Sequence, residues 1–237
     1  MNVAIVVAGG KGTRFGGNRP KQFLELNGAP VIVQTLRQFE RASEIQNVIV
    51  VLPADQTAGF QSLIKKFDLK KVSQVVAGGE TRAQSVRNGL ATIGEANIVA
   101  VHDGVRPLIT PNEIDQVVRV ADDNGAAILL APVGDTVKEI EQDRVQRTVP
   151  RQNLRRALTP QCFRFDVLKR AYERLPEFES SGDEVTDESF LVEQLGVEIA
   201  AVEGSARNIK ITNQEDLAIA EALLGSSEFG VRSPSSS

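Results

Sequence analysis

Cysteine and histidine are almost absent from this chain of 237 residues, which has one of each. A single cysteine, Cys162, excludes an intramolecular disulfide and fits a reducing compartment. His102 has no second histidine and no nearby cysteine, so we expect a structural role at a strand end rather than a metal site. The chain also lacks a run of ~18 apolar residues and a basic leader, and we therefore expect a cytoplasmic protein without a membrane span.

The chain also has little excess of charge of either sign. Lysine and arginine number 27 against 31 aspartates and glutamates, a net charge of -4. A balance of this kind gives no general attraction for nucleic acid or for an anionic membrane surface. Hydrophobic residues make up 41% and charged residues 24%, which is typical of a globular protein with a sizeable core. Local clusters of basic residues are therefore more informative than the total.

Short apolar strands alternate with amphipathic helices over the first half of the chain. The predicted strands are Asn2–Val7, Asn47–Leu52, Val72–Val76, Ile98–His102 and Ala126–Ala131. The predicted helices between them are Pro30–Arg41, Thr57–Phe67, Thr81–Ile93 and Pro111–Asn124. Strands joined by crossover helices predict an α/β fold with a mostly parallel sheet and helices on both faces. Ligands bind such sheets at the carboxyl ends of the strands, so the loops after the first, third and fourth strands should meet at one edge.

The pattern changes after the fifth strand. The polar segment 134–156 predicts either a hairpin arm that protrudes from the domain or a surface loop with two short strands, and the sequence leaves both open. The elements expected beyond it are helices at Phe165–Arg174, Asp187–Leu195 (with Thr186 as N-cap) and Gln214–Leu224, and strands at Val197–Val202 and Asn208–Ile211. We thus predict one domain, 1–225, followed by a Gly/Ser-rich tail, 226–237, that is disordered and not necessarily native.

A glycine-rich loop follows the first strand and reads AGGKGTRF, with Pro-Lys-Gln a few residues later. It matches neither common phosphate motif, because Phe15 replaces a small residue of the dinucleotide fingerprint and Gly12 replaces the Ser or Thr of a P-loop. Closely spaced glycines nevertheless let backbone N–H groups approach a polyanion, and Arg14 and Lys21 add positive charge. Taken alone, the loop could also be a strand-to-helix turn with solvated bases.

Several segments together carry a resemblance to a known family. They are the glycine-rich loop with its Pro-Lys-Gln, and the segments GGETRAQSV (78–86), HDGVRP (102–107), DTVK (135–138), ALTPQ (157–161), TDE (186–188) and NIKIT (208–212). In this order they resemble the 2-C-methyl-D-erythritol 4-phosphate cytidylyltransferases of the non-mevalonate isoprenoid pathway, from about Val3 to Leu224. The resemblance implies a Rossmann-like, three-layer αβα nucleotidyltransferase fold, with 134–156 as a protruding β-arm.

The resemblance also implies a role for each matching residue. The catalytic groups at the triphosphate would be Arg14, Lys21 and Lys210. The contacts to the cytosine nucleotide would be Ala8, Gly9, Gly10, Gly79, Glu80 and Ser85. The contacts to the sugar-alcohol phosphate would be Asp103, Arg106, Thr136, Arg151 and Thr159, with the two arm residues, Thr136 and Arg151, reaching the neighbouring subunit of a homodimer.

The implied reaction transfers CMP from CTP to 2-C-methyl-D-erythritol 4-phosphate and releases pyrophosphate, with no covalent nucleophile on the protein. Mg²⁺ would be held mainly by the nucleotide phosphates, so no protein ligand is predicted. Two other functions stay open: a related ribitol 5-phosphate cytidylyltransferase and a catalytically silent nucleotide-binding subunit. The segments 151–161 and 186–188 favour the isoprenoid enzyme over the ribitol one.

Overall fold

The computed structural model of the chain describes residues 1–9, 20–182 and 185–228. Within them, seven strands form the central sheet: β1 (Val3–Val7), β4 (Asn47–Leu52), β5 (Val72–Ala77), β6 (Ile98–Asp103), β7 (Ala126–Pro132), β10 (Arg155–Arg164) and β11 (Ala200–Glu203). Their order across the sheet is β11-β7-β10-β6-β1-β4-β5. All neighbours are parallel except β10, which runs antiparallel to both β6 and β7. The predicted mostly parallel α/β fold is confirmed.

Helices cover both faces of the sheet. The helices of the described chain are α1 (Val31–Arg41), α2 (Ala54–Lys66), α3 (Arg82–Leu90), α4 (Pro111–Asn124), α5 (Phe165–Glu173), α6 (Leu175–Ser181), α7 (Glu188–Glu193) and α8 (Gln214–Glu228). None of them is long and apolar enough to cross a bilayer. A short 3₁₀ helix, Lys21–Phe23, precedes a small hairpin of β2 (Glu25–Leu26) and β3 (Ala29–Pro30).

The alternation of side chains along β1 divides the core into two layers. Ala4 and Val6 pack with residues of α1, α2 and α4, whereas Ile5 and its neighbours pack with α3, α5 and α7. Both faces of β1 are buried, which explains its continuous apolar run. On one face, α3 approaches the sheet at Gly89, where an added Cβ would lie 2.9 Å from Ile5 Cγ2. Cys162 is buried in the other layer, and burial raises the pKa of its thiol.

The predicted bounds of α4 are accurate, and a local signal marks each of its ends. α4 begins after Thr110, whose hydroxyl accepts a hydrogen bond from the Glu113 N–H at 3.2 Å while the Glu113 carboxylate accepts from the Thr110 N–H at 3.0 Å. It ends before Gly125, which has a φ of 89°. The prediction for α7 needs a correction, because its N-cap is Asp187, whose carboxylate accepts from the Phe190 N–H, and not Thr186.

The second half of the chain departs most from the prediction. Asn208–Ile211, predicted as a strand, is irregular; its Ile211 N–H donates to the Val105 carbonyl at 2.9 Å, and its Asn208 carbonyl accepts from Arg106 Nη1. Strand β10 was not predicted, although it fills the centre of the sheet between β6 and β7. Helix α6 was also missed. The predicted tail begins inside α8, which continues to Glu228, and residues 229–237 lie outside the described chain.

The segment 134–156 contains a separate two-stranded antiparallel sheet of β8 (Val137–Glu141) and β9 (Arg144–Val149). The turn between the strands uses Gln142 and Asp143, both with positive φ. Nearly every residue of this hairpin is exposed, including the apolar side chains of Ile140 (64% exposed) and Val145 (62% exposed).

Candidate active site

A cavity of about 180 Å³ opens at the carboxyl ends of β1, β5 and β6. Its walls come from the loops that follow these three strands, from the 3₁₀ helix and from the loop before α8. The lining residues are Val7, Ala8, Gly9, Lys21, Gln22, Gly79, Glu80, Thr81, Arg82, Ser85, Asp103, Val105 and Lys210. The prediction that the loops after the first, third and fourth strands meet at one edge is therefore confirmed.

One wall of the cavity is built from closely packed backbone around Ser85. The Ser85 hydroxyl donates to the Thr81 carbonyl at 2.9 Å and accepts from the Gly79 N–H at 3.1 Å. A Cβ on Gly79 would lie 2.5 Å from the Cβ of Gln84, so only glycine fits there. This wall contains Ala8, Gly9, Gly79, Glu80 and Ser85 of the predicted nucleotide contacts, whereas the sixth, Gly10, lies outside the described residues.

The cavity is also lined by cationic side chains. Lys21, at the start of the 3₁₀ helix, and Lys210, in the loop before α8, line the same cavity although 189 positions separate them in the numbering. Arg14, the third predicted catalytic residue, lies outside the described residues. The two predicted catalytic lysines within the described residues therefore line one cavity, as the family resemblance implies.

Asp103 lines the cavity, is 5% exposed and is surrounded by cations. Its Oδ1 is 3.0 Å from Arg82 Nε, and its Oδ2 is 3.1 Å from Lys210 Nζ and 3.2 Å from Arg106 Nε. Burial alone would raise the pKa of Asp103, but the three cations outweigh it and hold the pKa well below its usual range. Asp103 is therefore an anion that fixes the positions of several cations.

Arg82 is a site residue that the sequence reasoning missed. Its Nη1 is 2.7 Å from Glu188 Oε1 and 3.0 Å from Oε2, while its Nε bonds to Asp103. Burial alone would lower the pKa of Arg82, but the two carboxylates raise it, so the guanidinium stays charged. Both residues lie in segments that carry the family resemblance, Arg82 in GGETR and Glu188 in TDE. No local sequence pattern, however, predicts a contact between residues that are 106 positions apart.

His102 and Thr159 hold the backbone of Asp103 through a chain of hydrogen bonds. The Arg106 carbonyl can only accept, so His102 Nε2, 3.3 Å away, has the proton, and Nδ1 is an acceptor. Thr159 Oγ1 donates to that Nδ1 at 3.0 Å and accepts from the Asp103 N–H at 3.1 Å. Burial lowers the pKa of His102 to about 3, with the positive charge of Arg106 contributing, so the ring is neutral near pH 7. The expected structural role of His102 agrees with this geometry.

The remaining predicted contacts do not all line this cavity. Arg106 lies behind Asp103, and its Nη1 donates to the Asn208 carbonyl at 2.9 Å. Thr159 is only 4% exposed, and its hydroxyl has the two partners described above. Thr136 and Arg151 are exposed residues at the base of the hairpin, where the Arg151 guanidinium donates to the Gly134 carbonyl, and the cavity walls do not include them.

Within residues 1–9, 20–182 and 185–228, no group of three or more His, Cys, Asp or Glu side chains is arranged to hold a metal ion. The carboxylates that line the cavity are Glu80 and Asp103. Because Asp103 already neutralises nearby cations, a divalent ion at this site would need most of its oxygen ligands from a bound substrate.

Comparison with known proteins gives a consistent result. The family model for IspD, 2-C-methyl-D-erythritol 4-phosphate cytidylyltransferase, matches residues 2–226. A protein of that description from Alkaliphilus metalliredigens is 44% identical over 229 residues, which cover 95% of this chain and 94% of the relative. One from Bacillus velezensis is 41% identical over 223 residues, 94% of this chain and 95% of the relative.

Solved structures show the same similarity. The crystal structure of 4-diphosphocytidyl-2C-methyl-D-erythritol synthase from Anaerococcus prevotii matches with a TM-score of 0.81 and 30% identity, covering 94% of this chain and 96% of that one. The crystal structure of 2-C-methyl-D-erythritol 4-phosphate cytidylyltransferase from Thermus thermophilus matches with a TM-score of 0.75 and 32% identity, covering 94% and 98%.

Proposed function

This chain belongs to the 2-C-methyl-D-erythritol 4-phosphate cytidylyltransferase family, and we propose from this that it transfers CMP from CTP to 2-C-methyl-D-erythritol 4-phosphate. The products are 4-diphosphocytidyl-2-C-methyl-D-erythritol and pyrophosphate, and the reaction is a step of isoprenoid biosynthesis. The observation that supports this most directly is the cavity, whose lining combines glycine-rich backbone with Lys21, Lys210 and Asp103. The backbone groups suit a base, and the lysines suit phosphates.

The transfer needs no covalent intermediate on the protein. An oxygen of the acceptor phosphate attacks the α-phosphorus of CTP, the bond from that phosphorus to the bridging oxygen breaks, and its electron pair leaves with pyrophosphate. Such reactions depend on positioning and on neutralising the negative charge of two phosphates. We assign this role to Lys21 and Lys210, together with Arg14, because fixed cations at the reacting phosphate stabilise the charge of the transition state.

The packed backbone wall is our proposed cytosine site. Cytosine has an exocyclic amine that donates and a ring carbonyl that accepts, and main-chain groups can match both. Ala8, Gly9, Gly79, Glu80 and Ser85 surround the space, and Gly10 continues the same loop. The absence of a side chain at Gly79 lets the backbone approach a flat ring closely.

The acceptor site is proposed at Asp103, with Arg106 and Thr159 behind it. A buried carboxylate can accept hydrogen bonds from the hydroxyl groups of a sugar alcohol, while the cations around it attract the acceptor phosphate. Because the Thr159 hydroxyl is occupied by the Asp103 N–H and the His102 ring, we propose that Thr159 acts on the acceptor by holding Asp103 in place.

The hairpin arm is the proposed contact between two copies of the chain. An isolated two-stranded sheet is marginal in water, and this one exposes the apolar side chains of Ile140 and Val145. A second copy that covers them would form a homodimer, and Thr136 and Arg151 at the base of each arm would complete the acceptor site of the partner. Arg151 would then meet the acceptor phosphate.

Mg²⁺ is the proposed cofactor, held mainly through the CTP phosphates, because Mg²⁺ binds nucleotides with few protein ligands. When bound, it neutralises phosphate charge that the lysines alone leave uncompensated. We place the reaction in the cytoplasm, because the single cysteine of the chain is buried and has no second cysteine for an intramolecular disulfide, which fits a reducing compartment.

A pyrophosphate-release assay tests the function directly. CTP, UTP, ATP and GTP are each combined with 2-C-methyl-D-erythritol 4-phosphate and with ribitol 5-phosphate in the presence of Mg²⁺. We expect release with CTP and the methylerythritol acceptor. Preference for ribitol 5-phosphate would overturn the acceptor assignment, and calorimetric CTP binding with no release for any acceptor would identify a silent subunit.

Lys21→Ala tests the phosphate assignment in the same assay. We expect turnover to fall strongly while the thermal unfolding midpoint stays near that of the unmodified chain, because a half-exposed lysine at a loop contributes little to stability. A Lys21→Ala protein with undiminished turnover would remove Lys21 from the site.

Subunit mixing tests the arm. Arg151→Ala should raise the KM for the acceptor more than the KM for CTP. If sites are shared, mixing Arg151→Ala with Lys21→Ala should restore part of the activity, because one site of each mixed dimer then has neither substitution. Arg147→Ala is the matched control, since its guanidinium pairs with Glu139 on the same arm and should leave the acceptor KM unchanged. No restored activity after confirmed exchange of subunits would mean that each site comes from one chain.

A further inference from the structure

Behind the cavity, a buried carboxylate holds the guanidinium that contacts Asp103. Glu188 is the first residue of α7 and is 1% exposed. Both of its oxygens accept from Arg82 Nη1, and Oε1 also accepts from the Tyr172 hydroxyl at 2.9 Å. Glu188 does not line the cavity, so any effect that it has on substrates must pass through Arg82.

The backbone at Glu188 is held as firmly as the side chain. Gln161 of β10 accepts from the Glu188 N–H at 3.1 Å and from the Ser189 N–H at 3.0 Å through the same Oε1. Its Nε2 donates to Asp187 Oδ2 at 2.9 Å. The start of α7 is therefore fastened to the centre of the sheet, and the carboxylate of Glu188 has a fixed position relative to Asp103 on the neighbouring strand β6.

The geometry of Arg82 depends on both carboxylates. A guanidinium alone with one carboxylate usually pairs with it through two parallel N–H···O bonds. Here Arg82 gives Nε to Asp103 and Nη1 to Glu188, and no hydrogen bond from Nη2 to another described residue is found. Arg82 lines this cavity and also an adjacent one bounded by Glu179 and Thr186, and Nη2 is not a buried atom without a partner, so its N–H groups are accessible to an anionic oxygen.

Glu188 also sets the charge of the site. Arg82, Arg106 and Lys210 bring three positive charges, and Asp103 and Glu188 bring two negative ones, which leaves one net positive charge. Without Glu188, the guanidinium can turn to pair with Asp103 through Nε and Nη2 together. That arrangement would occupy further oxygen lone pairs of Asp103, which lines the cavity, and it would withdraw Nη2 from a substrate.

We infer that Glu188 is a positioning residue of the transfer reaction, which orients Arg82 so that Asp103 stays available to the acceptor and Nη2 stays available to a phosphate oxygen. The inference rests on the proposed function. It predicts a defect in turnover more than in nucleotide binding, because removing a negative charge behind the site does not weaken attraction for CTP.

Steady-state kinetics of Glu188→Gln provide the test, with the unmodified enzyme assayed first. We expect kcat to fall about tenfold to a hundredfold, because small displacements of positioning groups cost this much, while the calorimetric dissociation constant for CTP does not increase. An unmodified chain that releases no pyrophosphate would refute the proposed function itself. Full kcat in Glu188→Gln, with the unmodified enzyme active, would refute only the positioning role.

A double-substitution cycle separates positioning from a general structural role. If Glu188 acts through Arg82, then adding Glu188→Gln to an Arg82→Gln enzyme should cause no further fall in kcat. Losses that multiply would show that Glu188 acts independently of Arg82, and this would overturn the inference. Asp115→Asn is the matched control: its carboxylate accepts from the N–H groups of Ser43 and Glu44 near the opposite edge of the sheet, so it should lower stability and leave kcat unchanged.

Glu188→Asp keeps the test usable if Glu188→Gln does not fold. It retains the negative charge that Arg82 needs, but it withdraws the carboxylate by one methylene. We expect a folded protein with a lower kcat and an unchanged CTP dissociation constant. Unmodified kcat in folded Glu188→Asp would also overturn the inference, since the position of the carboxylate would then not matter.

Discussion

Acidification should destabilise this fold through one side chain, the buried imidazole of His102. The ring is fully buried, and burial lowers its pKa to about 3. In the unfolded chain the same ring has an ordinary pKa of about 6.5. Between these two values the unfolded chain binds a proton that the folded chain does not, so stability falls as pH falls from about 6.5 toward 3.

The size of the effect follows from the two pKa values. At pH 7.5 the ring is neutral in both states and contributes almost nothing. At pH 5.5 the unfolded ring is about ten times more protonated than neutral, which costs the folded state about 1.4 kcal/mol relative to pH 7.5. For a domain of this length, that corresponds to a fall in Tm of about 3–6 °C.

Urea unfolding at pH 7.5, 6.5 and 5.5 measures this, with His102→Gln as the comparison. The glutamine can still donate to the Arg106 carbonyl, but it does not titrate. Because the chain has one histidine, the difference in pH dependence between the two proteins isolates His102, and carboxylate contributions cancel. His102→Gln is expected to be less stable at pH 7.5, and this difference should shrink by about 1.4 kcal/mol at pH 5.5, because only the unmodified chain loses stability through the ring.

Parallel loss of stability in both proteins between pH 7.5 and 5.5 would contradict the proposed neutral state of the buried ring. It would mean that the folded state accepts the proton at its ordinary pKa. The Nδ1 atom would then be a donor, and the hydrogen bond from the Thr159 hydroxyl that supports Asp103 could not exist as described.

Three further substitutions give separate outcomes. Lys210→Ala should lower kcat by about 10²-fold to 10³-fold in the pyrophosphate-release assay, as expected for loss of a group that stabilises transition-state charge, and a fall smaller than tenfold would count against its catalytic role. Asp103→Asn should lower kcat without weakening calorimetric CTP binding. It should also reduce the free energy of unfolding by about 1–3 kcal/mol, because the cations around Asp103 lose their partner. Loss of CTP affinity would contradict the expectation that removing a negative charge near the site does not weaken attraction for CTP. Gly89→Ala should destabilise by about 1–3 kcal/mol in urea unfolding, since the new methyl would lie 2.9 Å from Ile5 Cγ2 and 3.0 Å from Val51 Cγ2, and a stabilised protein would disprove this crowding.

Each of these has a matched control within the chain. Lys70→Ala removes a surface lysine that pairs with Asp68 and should not change kcat. Asp115→Asn removes a buried carboxylate remote from the cavity and should lower stability without affecting turnover. Gly59→Ala adds the same methyl inside α2, where no described atom beyond the adjacent residues and the helix's own backbone lies within 4 Å, and should stabilise the helix by up to about 1 kcal/mol.

The periodicity of the sequence was enough to locate the parallel half of the sheet. Val3–Val7 and Asn47–Leu52 are continuous apolar runs buried on both faces, and such runs indicate a covered parallel strand whatever lies around them. The order of these strands, combined with the rule for parallel sheets, also placed the glycine-rich loop, the segment GGETR and Asp103 at one edge. The clustering of Lys21 with Lys210 came from the family resemblance, and the structure agrees with it.

Other features depended on contacts between distant parts of the chain. Asn208–Ile211 has the composition of a strand, but no strand of the described chain pairs with it. It forms instead the loop that contains Lys210. β10 begins with exposed arginines, is buried in its middle and ends at the exposed Arg164, so its pattern has no single period. Its place between β6 and β7 fixes its conformation.

The ion pairs behind the site show the same division most clearly. Sequence identifies Arg82, Asp103 and Glu188 as charged residues, and local rules assign Glu188 to a helix start. Only the packing of α7 against β10 brings Glu188 to Arg82, and only burial makes that contact strong enough to orient a guanidinium. Periodicity and glycine placement are local properties that a sequence determines by itself, whereas the partner of a buried charge is decided by which surfaces the folded chain brings together.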